Sequence, residues 1–301
     1  MTTTYDARRG TLRGTAGPTS STSQNLMIFV LSMSLFGLSN ILLEVIPDVS
    51  LGPVEISVSY FVFIPLTLAA LLSPFWVALG APLGEIVFTD LLMGDFSGLA
   101  EVEGFIQMFL AVFIAGSLIR NPRSRVQLVL GALLVVGIDK LLSAAVDLAK
   151  VWVGVEEAEL VAGLPESILL LEGIGFVVDL LMSGVLFGVV PALWLVPQLH
   201  GRLEPLLGLQ PREPGRPVPG SAPRATWFVV VAVLAGAGSF FFAFLEEVDM
   251  SPGALDAELD ASFLWISAGA AAVLLTIAAV LFAVHRRRAA ATSTLRDEDA
   301  A

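Results

Sequence analysis

The stretch from Leu130 to Lys150, LGALLVVGIDKLLSAAVDLAK, most constrains what this chain can fold into. It is long and apolar enough to cross a bilayer, yet it carries Asp139, Lys140, Asp147 and Lys150. At about 100° per residue, with Asp139 at zero, Lys150 falls at about 20°, Ser143 at about 40°, Asp147 at about 80° and Lys140 at about 100°. The polar side chains therefore share one third of the helix surface. A charge near the middle of a membrane helix costs about 2.5–3.5 kcal/mol on insertion scales, so this stripe has to face protein or a water-filled cavity.

The following apolar run, SILLLEGIGFVVDLLMSGVLFGVV, carries an answering stripe. Glu172, Phe176, Asp179 and Ser183 fall within about 60° of one another, which predicts two helices facing each other across a polar interior. Four carboxylates against two Lys leave two acids over. Those acids are protonated, hydrogen-bonded or waiting for a cationic partner.

The 301 residues are 56% hydrophobic and 15% charged, with a mean hydropathy of +0.84, which describes a polytopic membrane protein. With no Cys, disulfides, thiolate metal sites and cysteine nucleophiles are excluded. Both His, His200 and His285, fall at predicted helix ends and suggest no ligand role, and no cofactor is expected. A net charge of −12 excludes nucleic acid as a partner.

Runs long enough to span fall at about 25–46, 59–76, 77–94, 104–119, 126–149, 168–190, 226–246 and 262–284. The bases test this count. Arg8, Arg9 and Arg13 precede the first span, and Arg120, Arg123 and Arg125 follow the fourth. Arg202, Arg212, Arg216 and Arg224 separate the sixth from the seventh; Arg286, Arg287, Arg288 and Arg296 follow the eighth. With both termini cytoplasmic, every Arg lies inside, while the opposite loops hold only Lys150 at a helix end. Keeping that parity needs a turn near Ser73 to Trp76 within the Pro-interrupted run 59–94. The opposite loops are acidic, a solvated face or a weak funnel for cations.

The expected organisation is an all-α, polytopic transmembrane bundle in which a six-helix core carries two additional C-terminal helices. Residues 1–24 read as a disordered cytoplasmic tail, 25–200 as the core, 201–225 as a Pro-rich cytoplasmic linker, 226–288 as a two-span appendage and 289–301 as a second tail. The linker, QPREPGRPVPGSAPR after a short amphipathic HGRLEPLLGL, is expected to be extended and mobile.

No Walker lysine motif, dinucleotide fingerprint, GxSxG elbow or intramembrane zinc-protease signature occurs, so the chain is not expected to be an enzyme. What remains is a polar cavity in a bundle. Asn40 and Glu44 lie in the outer part of the first span and Asp90 in the outer half of the third, while Glu85 reads as structural. That depth bias favours a ligand arriving from outside.

Six spans with both ends inside, a polar outer loop after the first helix and the run VSYFVFIPLTLAALLSPFWVALGAPLGEIVFTDLLMG, together covering about residues 25–197, resemble the substrate-binding S components of energy-coupling factor transporters. The shared features are an apolar helix, Leu66 to Leu72, ending at a Pro-aromatic turn, Pro74 to Trp76, then Gly80 and Gly84, then an acidic helix end, Asp90 to Asp95. Two departures stand out: the first helix has small residues, Ser32, Ser34, Gly37 and Ser39, at other spacings than the family's docking pair, and two C-terminal spans are extra. The resemblance implies a cell-membrane protein that binds a small vitamin-like molecule. It implies as partners a membrane coupling protein and two cytoplasmic ATPase subunits. It also implies ligand contacts in the first outer loop and at the outer ends of spans four to six, here Glu55, Asp95, Asp147 and Glu172. With the intramembrane charges, the candidate substrate-binding set is Asn40, Glu44, Glu55, Asp90, Asp95, Asp139, Lys140, Asp147, Glu172 and Asp179. The carboxylate excess points to a cationic or amine-bearing substrate.

Two other functions fit the same residues. An ion-coupled secondary transporter would use Asp139, Asp179 and Lys140 as a proton or sodium relay and would need no ATPase. A non-transporting scaffold would use the buried charges as interhelical glue and would bind no ligand.

Overall fold

The computed structural model describes residues 22–44, 49–51, 54–56, 58–93, 100–153, 167–214, 218, 220–221 and 226–247. The tail before Thr22, Asp95, the span 262–284 and the tail 289–301 lie outside the described residues. The chain is mostly helical. Helix α1 (Thr22–Glu44) leads to a small antiparallel hairpin, β1 (Val49–Leu51) and β2 (Val54–Ile56), with Ser50 opposite Glu55. Then come α2 (Phe63–Leu71), α3 (Pro74–Glu85), α4 (Ala100–Leu118), α5 (Arg125–Val153) and α6 (Ser167–Asp179). The last helices are α7 (Val190–Leu199), the short α8 (Leu203–Leu206) and α9 (Thr226–Glu247). Among the described residues, four helical stretches are long and apolar enough to cross a membrane: Thr22–Leu43, Glu101–Leu118, Arg125–Leu148 and Gly173–Leu199.

The run 59–76, expected to be one crossing, is divided. Val58 to Phe61 are non-helical, and α2 contributes only nine residues, about 13.5 Å of helix against a hydrocarbon thickness of about 30 Å. Such a backbone is tolerated at depth only inside protein or beside a cavity. In α2, Pro65 to Leu71 are all buried. The break falls at Leu72 and Ser73, at the edge of the expected turn, because Pro74 disfavours helical geometry at Ser73 and suits the first position of α3.

Two π-helical stretches interrupt the α geometry. Ile86–Asp90 continues α3, four residues after Pro82, and a final turn Leu91–Met93 ends it. Leu180–Val189 joins α6 to α7 and ends two residues before Pro191. A proline inside a helix removes one backbone donor, and a π turn is one way of absorbing the lost register.

Small residues set the helix contacts. A Cβ at Gly84 would run into the Met33 carbonyl, one at Gly80 into Ser32 Oγ and the Phe29 carbonyl, and one at Gly37 into the Gly84 carbonyl. Gly80 and Gly84, four apart, therefore let α3 lie directly on α1 through Ser32, Met33 and Gly37. The core below contains Phe36, Leu66, Leu72, Ile119, Leu128, Val135 and Val136.

The linker corrects its expectation: the chain after α7 is a strap fastened to the Arg-bearing end of the bundle, and at Arg212 it is not mobile. Glu204 is fully buried, with Oε1 2.8 Å from His200 Nδ1 and Oε2 accepting the Gly201 N–H at 2.7 Å. Gln24 of α1 donates to the carbonyls of Leu207 and Gly208. Arg212, 5% exposed, donates to Ile119 O (2.6 Å), Gly116 O (3.4 Å), Leu72 O (2.6 Å) and Ala69 O (2.9 Å). Its guanidinium caps the C-terminal carbonyls of α2 and α4 together, where helix dipoles favour a cation. Burial pushes that guanidinium down to about 9, and Glu204 opposes the shift. Gly220 (φ +66°) passes so close to Ser73 that a Cβ there would collide with its hydroxyl. Helix α9 packs on α4 and α5.

Candidate functional site

Four segments converge on a polar cavity of about 260 Å³: the non-helical piece before α2, α3 with its π continuation, α4 and α5. Ser59 and Tyr60 come from the first, Glu85, Ile86 and Asp90 from the second, Glu101, Phe105, Gln107 and Met108 from the third, and Asp139, Lys140 and Ser143 from the fourth. At 1.5 Å per residue, Asp139 stands about 21 Å along α5 from Arg125, so the cavity lies toward the end remote from the Arg-bearing turns.

The break before α2 places the polar groups. Because Ser59 and Tyr60 are not in a helix, they reach across the bundle. Tyr60, 3% exposed, donates its hydroxyl to Asp139 Oδ2 at 2.8 Å, and its ring meets Phe36 edge-on with centroids 6.2 Å apart. Ser59 Oγ donates to Asp179 Oδ1 at 2.6 Å, and the Ser59 N–H donates to Ser183 Oγ at 3.1 Å. Lys140 Nζ stands 3.5 Å from Asp179 Oδ2 and 5.9 Å from the centroid of the Tyr60 ring. A charge-assisted bond is usually about 2.7–2.9 Å, so this pair is loosely made. On α4, Gln107 donates to Glu103 at 2.7 Å, both buried.

The sequence-derived candidates separate into groups. Asp139, Lys140 and Asp179 are brought together, through Ser59 and Tyr60. Asp90 lines the same cavity. Asp147 lies about two turns beyond Asp139 along α5, with Ser143 Oγ 3.5 Å from its Oδ2. Asn40 is buried in α1 outside the cavity lining, and its Oδ1 has no hydrogen-bond partner among the described residues. Glu44 ends α1, Glu55 sits in β2 and Glu172 in α6; only their backbone positions are described. Asp95 lies outside the described residues. Among the described residues no cluster of three or more His, Asp or Glu could hold a metal ion.

Sequence reading did not single out Tyr60, Ser59, Glu101 or Gln107 and took Glu85 as structural, whereas all five line the cavity. A signal for Tyr60 existed: it is one of two Tyr in a chain with 19 Phe, and it follows a serine at the edge of an apolar run. A buried Tyr generally finds a hydrogen-bond partner, which here is the intramembrane Asp139.

Fold and site together define a helical membrane protein with an acidic cavity lined by its bundle. The chain belongs to a family of unknown function, DUF8171, which it matches over residues 27–292. That match runs through the strap and past the end of the last predicted span. Searches of curated proteins and of solved structures returned no match.

Proposed function

We propose that this protein binds a small amine-bearing solute in the cavity beside Asp139 and Lys140 and serves its passage across the cell membrane. The observation that supports this most is the cavity wall, which among the described residues carries four acids, Glu85, Asp90, Glu101 and Asp139, and one base, Lys140. A site of about 260 Å³ suits a small ligand, and the ring of Tyr60 beside the acids favours a cation there. The arrangement of the chain is a six-span core, 25–200, with two further spans, both termini cytoplasmic, so that the cavity opens toward the outer face. In the form the resemblance implies, the protein is the substrate-binding component of an energy-coupling factor importer, and ATP hydrolysis belongs to partner subunits. That form rests on the six-span arrangement, the polar outer loop after the first helix and the run that begins at Val58.

A second reading has its own support. Asp139, Tyr60, Lys140, Asp179 and Ser59 form a string of polar contacts between the non-helical piece before α2, α5 and α6, as a proton or sodium relay would need. Affinity purification of the tagged protein in mild detergent, with mass spectrometry of proteins and retained metabolites, tests the first form. A coupling protein with paired ATPases and a retained amine is the expected result. The chain alone, taking up amines into proteoliposomes only under a proton or sodium gradient, would replace it with the second. Neither ligand nor uptake would leave a scaffold.

A further inference from the structure

We propose that Lys140 is a tethered counter-ion that competes with a cationic ligand for this cavity, and that Asp179, held by Ser59, positions Lys140 aside when the ligand binds. The inference rests on the amine-binding reading above. Three observations carry it. Lys140 lines the cavity while Asp179 does not, so the ion pair straddles the cavity wall. At 3.5 Å the pair is loose, and with side chains 27% and 19% exposed neither partner is locked by burial. Asp179 is oriented by Ser59 at 2.6 Å, which fixes Oδ1 and leaves Oδ2 toward the ammonium.

Lys140 sits on a flexible four-carbon stem. In the empty protein its ammonium partly neutralises the carboxylates of the wall, Asp139 among them. A ligand ammonium arriving at Asp139 under the Tyr60 ring meets a like charge in a confined site. The repulsion is relieved when Lys140 moves fully onto Asp179. Lys140 therefore lowers affinity for cations, and Asp179 raises it through Lys140 alone. This differs from a relay, in which both residues carry the transported ion, and from glue, in which both only stabilise.

The test uses the full chain in lipid nanodiscs and isothermal titration with benzylamine and with benzyl alcohol, its neutral counterpart. Lys140→Met is expected to tighten benzylamine binding on the order of tenfold, and Asp179→Asn to weaken it by a similar factor, the size of coupling seen between interacting charges. In Lys140→Met/Asp179→Asn the loss due to Asp179→Asn is expected to vanish, leaving the affinity of Lys140→Met. Benzyl alcohol is expected to bind all forms alike. Unchanged or weaker benzylamine binding in Lys140→Met overturns the inference, as does a loss from Asp179→Asn that persists without Lys140. If Lys140→Met does not fold, the double variant, with neither partner stranded, decides alone: binding tighter than the parent supports the inference and equal or weaker binding overturns it. Benzylamine binding to the parent without dependence on Lys140 sinks this inference and spares the amine site. No benzylamine binding in any form sinks both.

Discussion

Arg212 at the Arg-bearing end and Lys140 at the cavity are both cations enclosed by protein, and they are held in different ways. Arg212 is 5% exposed and spreads its two terminal nitrogens over four carbonyls from two helix ends, while its Nε finds no hydrogen-bond partner among the described residues. Lys140 has one carboxylate at 3.5 Å and an aromatic face at 5.9 Å, with part of its surface open. A cation that meets fixed backbone groups on several elements joins those elements. One that meets only side chains beside a cavity can change partners. The two ends of the bundle therefore use buried charge for opposite purposes, closure at one and response at the other.

The difference can be broken first at Arg212. Arg212→Ala leaves the carbonyls of Ala69, Leu72, Gly116 and Ile119 without this donor and strips Glu204 of its nearby cation. The expected loss is about 3 kcal/mol or more, read as a lower thermal-unfolding midpoint in detergent. A midpoint equal to the parent would mean that the strap joins nothing. Arg212→Lys should recover only part of that loss, because an ammonium cannot reach both helix ends with a planar fork. Tyr60→Phe removes one donor from Asp139, costs about 1–2 kcal/mol of stability and lowers amine affinity; stability loss without an affinity change would place Tyr60 in the core only. Lys140→Met should be the mildest, within about 1 kcal/mol in the same assay, because its pair is loose and partly exposed. A loss there as large as that of Arg212→Ala would favour the scaffold reading, in which the stranded Asp179 is the fault.

Much of the architecture is legible in the residues. The stripe on residues 130–150 and that on residues 168–190 each point inward because charge in lipid is expensive, and Lys140 does meet Asp179 across α5 and α6. The break before Pro74 follows from the steric demand of proline on Ser73. Gly80 and Gly84 announce a close helix contact, although which helix they receive is not a property of their spacing. The small residues of α1, at spacings that match no familiar pair, meet them through Ser32, Met33 and Gly37 all the same.

What the sequence alone determined is therefore the membrane-helical character and the faces on which Asp139, Lys140 and Asp179 lie, since each depends on composition or on a local period. Only the tertiary structure decided that residues 58–61 leave the helix to bring Tyr60 to Asp139, that Ser59 orients Asp179, and that Arg212 returns from a Pro-rich strap to close α2 and α4. Those partners lie 79, 120, 93 and 140 residues apart in the chain. Helical phase fixes the direction in which a side chain points, but the group it meets depends on how distant helices pack, and that is settled by the fit of the whole bundle.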